Sequence, residues 1–311
     1  MRFVTYIADG KTAVGLLTRD QKYVIHLRQA QIVKDDPKPV AHPLPDSLLQ
    51  CIQMGEAFVE ISREILQFVE AYRKNAGDVS LSWLKPLESV QLLAPIPRPA
   101  KNIFCVGKNY AAHAAEMGGR EAIPEHLVVF SKAPTAVAHP GAVVSCQSHV
   151  TRQMDYEGEL AVVIGKRARS VTEEEAMDVV FGYTLINDLT ARDLQARHQQ
   201  WLIGKSLDGF CPMGPYLVTK EEVPTPERLK IVTRVNGEVR QSANTEQMIF
   251  TIPKIIATLS AGITLEPGDI IATGTPAGVG HAMNPPSYLR PGDLVEVEVE
   301  GLGVLKTMIG E

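Results

Sequence analysis

The sequence predicts an α+β protein. Short alternating strands open the chain, a long helical stretch follows, and the last third returns to strands separated by Gly and Pro turns. A length of 311 residues allows one large domain or two smaller ones with ample core. The net charge is −5 and no Lys/Arg run appears, so no nucleic-acid partner is expected. The start, Met1-Arg2-Phe3-Val4, carries no apolar signal core and no later stretch approaches a membrane span. The expectation is therefore no membrane association and a cytoplasmic location. Cys51, Cys105, Cys146 and Cys211 are scattered without a Cys-x-x-Cys pair, which reads as reduced, mostly buried thiols. A catalytic thiol at Cys105 or Cys211 is the alternative.

Residues 1–94 read as a small N-terminal α+β domain. Met1 to Ile7, Ala13 to Leu17 and Tyr23 to His26 are short strands, with Asp9-Gly10 as a turn between the first two. Residues 28–46, rich in Pro and Asp, read as irregular. Helix is expected over Ser47–Gly55 and Ala57–Arg73, where Phe58, Ile61, Ile65, Phe68, Val69 and Tyr72 recur at helical spacing. A Pro-rich connector, Leu93 to Ala100, opens the second domain, 95–311. There Asn102–Gly107 and Leu127–Lys132 read as strands. Between them lies an Ala-rich helix ended by Gly118-Gly119. Thr172 to Ala176 reads as a helix start, with acids in its first turn. An apolar strand ends at Asn187-Asp188, and Lys205 follows in a Gly/Pro-rich loop. Lys230–Val235 and Glu238–Gln241 form a hairpin about Asn236-Gly237. Ile252–Ser260 is a helix with Pro253 in its first turn. Leu294–Val299 is a half-exposed strand, and its Glu296 and Glu298 read as a solvated face.

The chemistry concentrates on Asp155-Tyr156-Glu157-Gly158-Glu159-Leu160, a strand that runs on into Ala161-Val162-Val163-Ile164. Strand side chains alternate, so Glu157 and Glu159 point the same way. Paired carboxylates before an apolar run require neutralisation, by a divalent cation or by solvent at a sheet edge. Asp188 offers either a third carboxylate or a helix cap. His113 and Glu116 are three apart on the Ala-rich helix. They are either an exposed polar pair or an imidazole oriented by a carboxylate to take a proton. Arg192 and Gln195, again three apart, suit a carboxylate ligand. Lys132 and Lys205 are either solvated or poised for an anion. The Gly-rich stretch from Thr273 to Gly280 is no P-loop, though its N–H groups and the Thr275 hydroxyl suit a carboxylate.

Taken together, Asp155-Tyr156-Glu157-Gly158-Glu159-Leu160, Asn187-Asp188-Leu189-Thr190-Ala191-Arg192-Asp193, Gly204-Lys205-Ser206 and Gly274-Thr275-Pro276-Ala277-Gly278-Val279-Gly280 resemble the fumarylacetoacetate hydrolase superfamily over about residues 95–311. Residues 101–119 and 201–215 are similar to members described as oxaloacetate decarboxylases. The resemblance implies a mixed, barrel-like β core with flanking helices, a homodimer, and a Mg²⁺ or Mn²⁺ ion on Glu157, Glu159 and Asp188. It implies catalytic roles for His113, Glu116 and Lys205, and substrate contacts from Lys132, Arg192, Gln195 and Thr275. The expected activity is metal-dependent C–C cleavage of a small 2-oxo acid, with oxaloacetate decarboxylation ahead of acylpyruvate hydrolysis. Enol–keto tautomerisation is the alternative, and a partner-binding scaffold on the same fold is the other.

Overall fold

The computed structural model describes residues 1–36, 40, 43–76 and 81–311. The first strands form where the alternation places them: β1 (Arg2–Ala8), β2 (Lys11–Leu17) and β3 (Tyr23–His26). Asp9 and Gly10 both take positive φ at the first turn, the conformation a tight hairpin requires. The stretch expected to be irregular instead begins with a helix, α1 (Leu27–Asp35). It was illegible because His26 gives it no side-chain cap; burial of Leu27, Ala30 and Gln31 holds it. Within that stretch, 37–39 and 41–42 lie outside the described residues. Ser47 caps α2 (Leu48–Gln53), and α3 (Glu56–Ala76) follows. Then come β4 (Leu84–Pro86) and β5 (Gln91–Leu93).

Beyond the connector, β6 (Ile103–Gly107) leads into α4 (Ala111–Gly118), which Gly119 ends at φ 77°. Next are β7 (Val128–Lys132), β8 (Val137–Ala138), β9 (Val143–Ser145), β10 (Met154–Asp155) and β11 (Gly158–Ile164). The helix expected from Thr172 is only a 3₁₀ turn, Ala176–Val179. Thr172 and Glu175 do make reciprocal capping bonds. The chain then enters β12 (Val180–Asn187) at once, leaving no room to propagate. β13 (Thr190–Ala191), α5 (Arg192–Arg197), α6 (Leu202–Lys205) and β14 (Cys211–Thr219) follow, so Lys205 closes a helical turn within the expected loop. β15 (Lys230–Val235) and β16 (Glu238–Asn244) form the expected hairpin, with Asn236 and Gly237 at positive φ. Thr251 caps α7 (Ile252–Gly262), and β17 (Ile270–Ala272), β18 (Leu294–Val299) and β19 (Gly303–Gly310) complete the chain. On β18, Glu298 pairs with Arg234 and Glu296 with Lys306, the solvated face expected.

The strands assemble into a large mixed sheet with the path β4-β3-β2-β1-β14-β12-β11-β17-β6-β7, and a five-stranded sheet β16-β15-β18-β19-β9. Both are open among the described residues; β4 and β7 end the large sheet, so the expected barrel-like core does not close into a barrel. β1 pairs with β14, Phe3 opposite Leu217, which makes the N-terminal strands part of the same sheet as the acidic strand. Phe3 packs on Phe58 at 4.7 Å, and Phe58 stacks on Phe181 of β12 at 6.2 Å. One apolar core therefore joins the two segments. The opposite face of β11 packs on the five-stranded sheet: Leu160, Val162 and Ile164 meet Ile231, Val297 and Leu305.

Candidate active site around a buried acidic triad

β11 is fully buried between β12 and β17, which rules out the edge strand with a solvated acidic face. Leu160, Val162 and Ile164 occupy one face, so Glu159 turns to the other, beside Glu157. The register adds the third carboxylate. Gly158 lies opposite Asn187, and Asp188 donates its N–H to the Glu157 carbonyl at 2.7 Å. Glu157, Glu159 and Asp188 thereby offer oxygens that all lie within 4.8 Å of one another. Asp188 caps no helix; Ala191 is the residue before α5. Gly158 between the glutamates has a steric cause. A Cβ there would sit 2.1 Å from Thr233 Oγ1, so a side chain would push the acidic strand off the second sheet.

Three cations meet these acids from behind and beside. Lys205 Nζ lies 2.6 Å from Glu157 Oε2 and 2.7 Å from Asp188 Oδ2. Lys132 reaches Asp188 Oδ1 and donates to the Leu189 carbonyl at 3.0 Å. Arg192 Nη2 is 2.6 Å from Glu157 Oε1 and 2.9 Å from Asp155 Oδ2. Burial alone would raise the Glu157 carboxyl, but Lys205 and Arg192 hold it well below the usual range. Glu159 goes the other way: burial first, then Asp188 and Glu157, push its carboxyl well above the usual range. Lys205 is raised, since Asp188 and Glu157 outweigh the burial that would lower it.

The Gly-rich loop after β17 does hold carboxylates, and they belong to the protein itself. Gly274 N–H donates to Glu159 at 2.8 Å, and Gly278 N–H to Glu116 at 2.9 Å. Gly280 and His281 N–H groups donate to Asp155 at 2.8 and 3.0 Å. Gly278 has φ 107°, and a Cβ there would meet the Arg240 carbonyl at 2.0 Å, so only glycine fits. Glu116 in turn accepts from His113 Nδ1–H at 2.8 Å, the oriented imidazole rather than an exposed pair; His113 is buried.

A cleft of about 300 Å³ opens onto this cluster. Of the residues expected at the site, His113, Glu157, Glu159, Arg192, Gln195, Lys205 and Thr275 line it. Asp188, Lys132 and Glu116 stand one layer behind. Lys132, fully buried and spent on Asp188, is turned away from the substrate contact expected of it. The Thr275 hydroxyl is likewise committed, donating to the Gly158 carbonyl at 3.0 Å and accepting from Gln241 Nε2 at 2.8 Å. Asp193, next to Arg192, accepts the Thr151 hydroxyl at 2.5 Å. Cys105 and Cys211 are buried off the cleft, and burial pushes the Cys211 thiol up to about 12, so neither serves as a nucleophile.

Sequence reasoning missed Asp155, Lys108, Trp201, Phe130 and His281. Asp155 carried a readable signal, as a third acid beside Glu157. Phe130 seats the Lys205 ammonium 4.8 Å from its ring centroid. His281, whose Nδ1 is 2.8 Å from the Tyr288 hydroxyl, is held below its ordinary pKa by burial and by Arg192. These residues come from loops and a sheet edge, where no periodicity marks them.

The donor set fits a hard divalent cation. Its ligand atoms are all oxygens, they converge, and Asp155, Glu157, Glu159 and Asp188 outnumber Lys132, Lys205 and Arg192 by one charge. Buried glutamates that converge with Asp188, and an imidazole held by a carboxylate, line one cleft, the arrangement of an enzyme's active site. The model of the fumarylacetoacetate (FAA) hydrolase C-terminal family matches residues 102–309, and the chain belongs to that family of enzymes. It is 49% identical over 310 residues to a protein of Bacillus subtilis (strain 168) named oxaloacetate tautomerase YisK, with each chain covered in full. Among solved structures, a fumarylacetoacetate hydrolase from Exiguobacterium antarcticum shares 40% identity and a TM-score of 0.79, covering 100% of this chain and 99% of that one. A 5-carboxymethyl-2-hydroxymuconate delta-isomerase from Mycobacterium smegmatis shares 30% and 0.71, covering 100% and 98%. Among the described residues no helix is long and apolar enough to cross a membrane.

Proposed function

We propose that the protein is a divalent-metal-dependent enol–keto tautomerase of a small 2-oxo acid, with oxaloacetate as the leading substrate. The observation that carries this is His113 on the cleft wall, its Nδ1 fixed by Glu116 and its Nε2 left to move a proton, in the cleft that Glu157 and Glu159 also line. The full-length relative named a tautomerase, and the isomerase among the solved structures, support the same order of reactions. Tautomerisation therefore moves ahead of decarboxylation, which the sequence put first.

Glu157, Glu159 and Asp188 would hold the cation, whether Mg²⁺ or Mn²⁺. A divalent ion bound there supplies Lewis-acid polarisation of a 2-oxo group. The chain's own residues do the rest. Lys205, converging with Glu157 and Asp188, sets positive charge beside the oxygen where an enolate develops. In the keto direction His113 Nε2 takes the proton of the enol hydroxyl and delivers it to C3, and in reverse it takes the C3 proton and returns it to the oxygen; Glu116 stabilises the imidazolium between the two transfers. Gln195 spends its Oε1 on Arg192 at 3.2 Å, which leaves its amide N–H groups for the substrate carboxylate. Arg192, with Nε and Nη2 turned to Asp155 and Glu157, positions the acidic wall.

Decarboxylation to pyruvate is the second reading, because it passes through the same enolate on the same wall. Acylpyruvate hydrolysis would also use His113, which would take a proton from the water that attacks the distal carbonyl as the C–C bond breaks to leave the enolate. A non-catalytic scaffold has less support, since it leaves a converged acidic triad without a purpose. The test supplies oxaloacetate as its enol and follows enol absorbance and pyruvate together, with metal, with chelator, and with metal but no protein. The expected result is metal-dependent loss of enol far above background without matching pyruvate. Pyruvate appearing in step with enol loss would establish decarboxylation. Neither change, with metal bound, would overturn both.

A further inference from the structure

The cations of the acidic wall are spent on the protein's own carboxylates, as the ion pairs of Lys132, Lys205 and Arg192 show. His281 Nδ1 is paired with the Tyr288 hydroxyl. One cation that lines the cleft remains: Lys108. Among the described residues it makes no ion pair. The geometry points to Lys108 as the residue that reads the distal carboxylate of a four-carbon 2-oxo diacid, and so sets the preference for a dicarboxylic over a monocarboxylic substrate. This deepens the tautomerase reading and rests on it for the identity of the reacting end.

The backbone supports a positioned side chain. Lys108 has φ 56°, the left-handed region that a residue with a Cβ rarely adopts. Such a conformation persists where its surroundings over-determine it, and here both neighbours are locked. Gly107 faces Trp201, whose Cζ3 would lie 2.7 Å from any Cβ there. Asn109 is fully buried, donates to the Phe250 and Thr273 carbonyls at 3.0 and 2.8 Å, and accepts the Phe250 N–H at 2.7 Å. The Lys108 stem therefore leaves the wall between β6 and α4 from a fixed point. The triad and Gln195 take the 2-oxo acid end of a small ligand, so a second carboxylate must find its counter-charge elsewhere in the same cleft. Lys108 is half-buried, where screening by solvent is reduced but the ammonium need not be fully desolvated.

The test compares oxaloacetate with its 4-methyl ester, which keeps the 2-oxo acid end and loses the distal charge. Lys108→Met is expected to raise KM for oxaloacetate roughly 10- to 100-fold, the span of one lost charge-assisted hydrogen bond. Its kcat, and both constants for the ester, should hold. Lys108→Arg should restore most of the discrimination, in the same backbone conformation. An equal loss on both substrates, or no change on either, would overturn the assignment. Binding calorimetry with Mn²⁺ separates this from the tautomerase reading. Malate and lactate share a 2-hydroxy acid end, and only malate carries the distal carboxylate. If oxaloacetate proves not to be tautomerised, Lys108→Met should still weaken malate and spare lactate. Equal weakening of both would refute the role of Lys108 whatever the reaction.

Discussion

The two walls of the cleft are held in different ways. The acidic wall is part of the sheet: Glu157 and Glu159 flank Gly158, the register across β12 sets Asp188, and backbone ladders fix all three. The imidazole wall stands on α4, eight residues long, with no side-chain N-cap and a glycine at its end. What joins that helix to the Gly-rich loop at this point is the Glu116 carboxylate, which holds His113 and Gly278 N–H at once. Metal affinity should therefore follow the sheet and proton transfer the helix, and the two should be separable by mutation.

The largest effect expected is loss of turnover in Glu157→Gln or Glu159→Gln, about 10³-fold, the several kcal/mol that Lewis-acid stabilisation supplies. Mn²⁺ binding by calorimetry should be lost with it. The two substitutions should differ in the metal-free protein. Glu157→Gln strips Lys205 and Arg192 of a buried partner and should destabilise by about 3–5 kcal/mol in urea. Glu159→Gln removes a charge that its buried neighbours already oppose, and should stabilise or leave stability unchanged. The same sign for both would mean that the wall behaves as one undifferentiated cluster.

Next comes His113→Ala, with turnover down about 10²- to 10⁴-fold, the usual span of general acid–base catalysis. Mn²⁺ affinity should be intact. Parallel loss of metal binding would erase the distinction between the walls. Gln241 offers the reverse test, since it touches both supports. Its Oε1 accepts the N–H of Gly158 at 3.0 Å, and its Nε2 donates to Thr275 Oγ1 and the Pro276 carbonyl at 2.8 and 2.7 Å. Gln241→Ala leaves these buried groups unpaired and should cost about 2 kcal/mol in denaturant unfolding, with metal affinity and turnover both weakened. Loss of only one would show that the loop and the strand move independently.

Strands and hairpins were legible where alternation or an Asn-Gly turn wrote them, as in β2, β11 and the β15–β16 hairpin. So were the carboxylates, because a two-residue spacing in a strand fixes their side. Helix α1 was not, because tertiary burial rather than capping or propensity holds it. The partners of the charged residues were also hidden. No spacing rule announces that Lys132, 56 residues before Asp188, will close on it, or that the glycine loop will spend its N–H groups on Glu159, Glu116 and Asp155. Reading a cation or a donor from sequence yields its chemistry. Whether it is free for a ligand depends on contacts between distant strands.

The smallest effect expected sharpens the contrast within the acidic wall, through pH. In the metal-free protein Glu159 has a folded pKa well above its ordinary 4.5, so the native state binds the proton more tightly than the unfolded chain does. Stability contributed by that protonated form is present below the unfolded value and is lost as pH rises toward the folded one. One such group gives a slope of at most about 1.4 kcal/mol per pH unit. The measurement is the difference in unfolding free energy between wild type and Glu159→Gln, taken from about pH 5 to 7 so that other titrations cancel. Without metal, wild type should lose ground to the variant as pH rises. With saturating Mn²⁺ the decline should disappear, because the bound ion keeps the carboxylate ionised in the folded protein as it already is in the unfolded chain at these pH values. A flat difference in both series would show that Glu159 is already balanced by Lys205 and Gly274 N–H, and that the sheet needs no cation to bear its third acid.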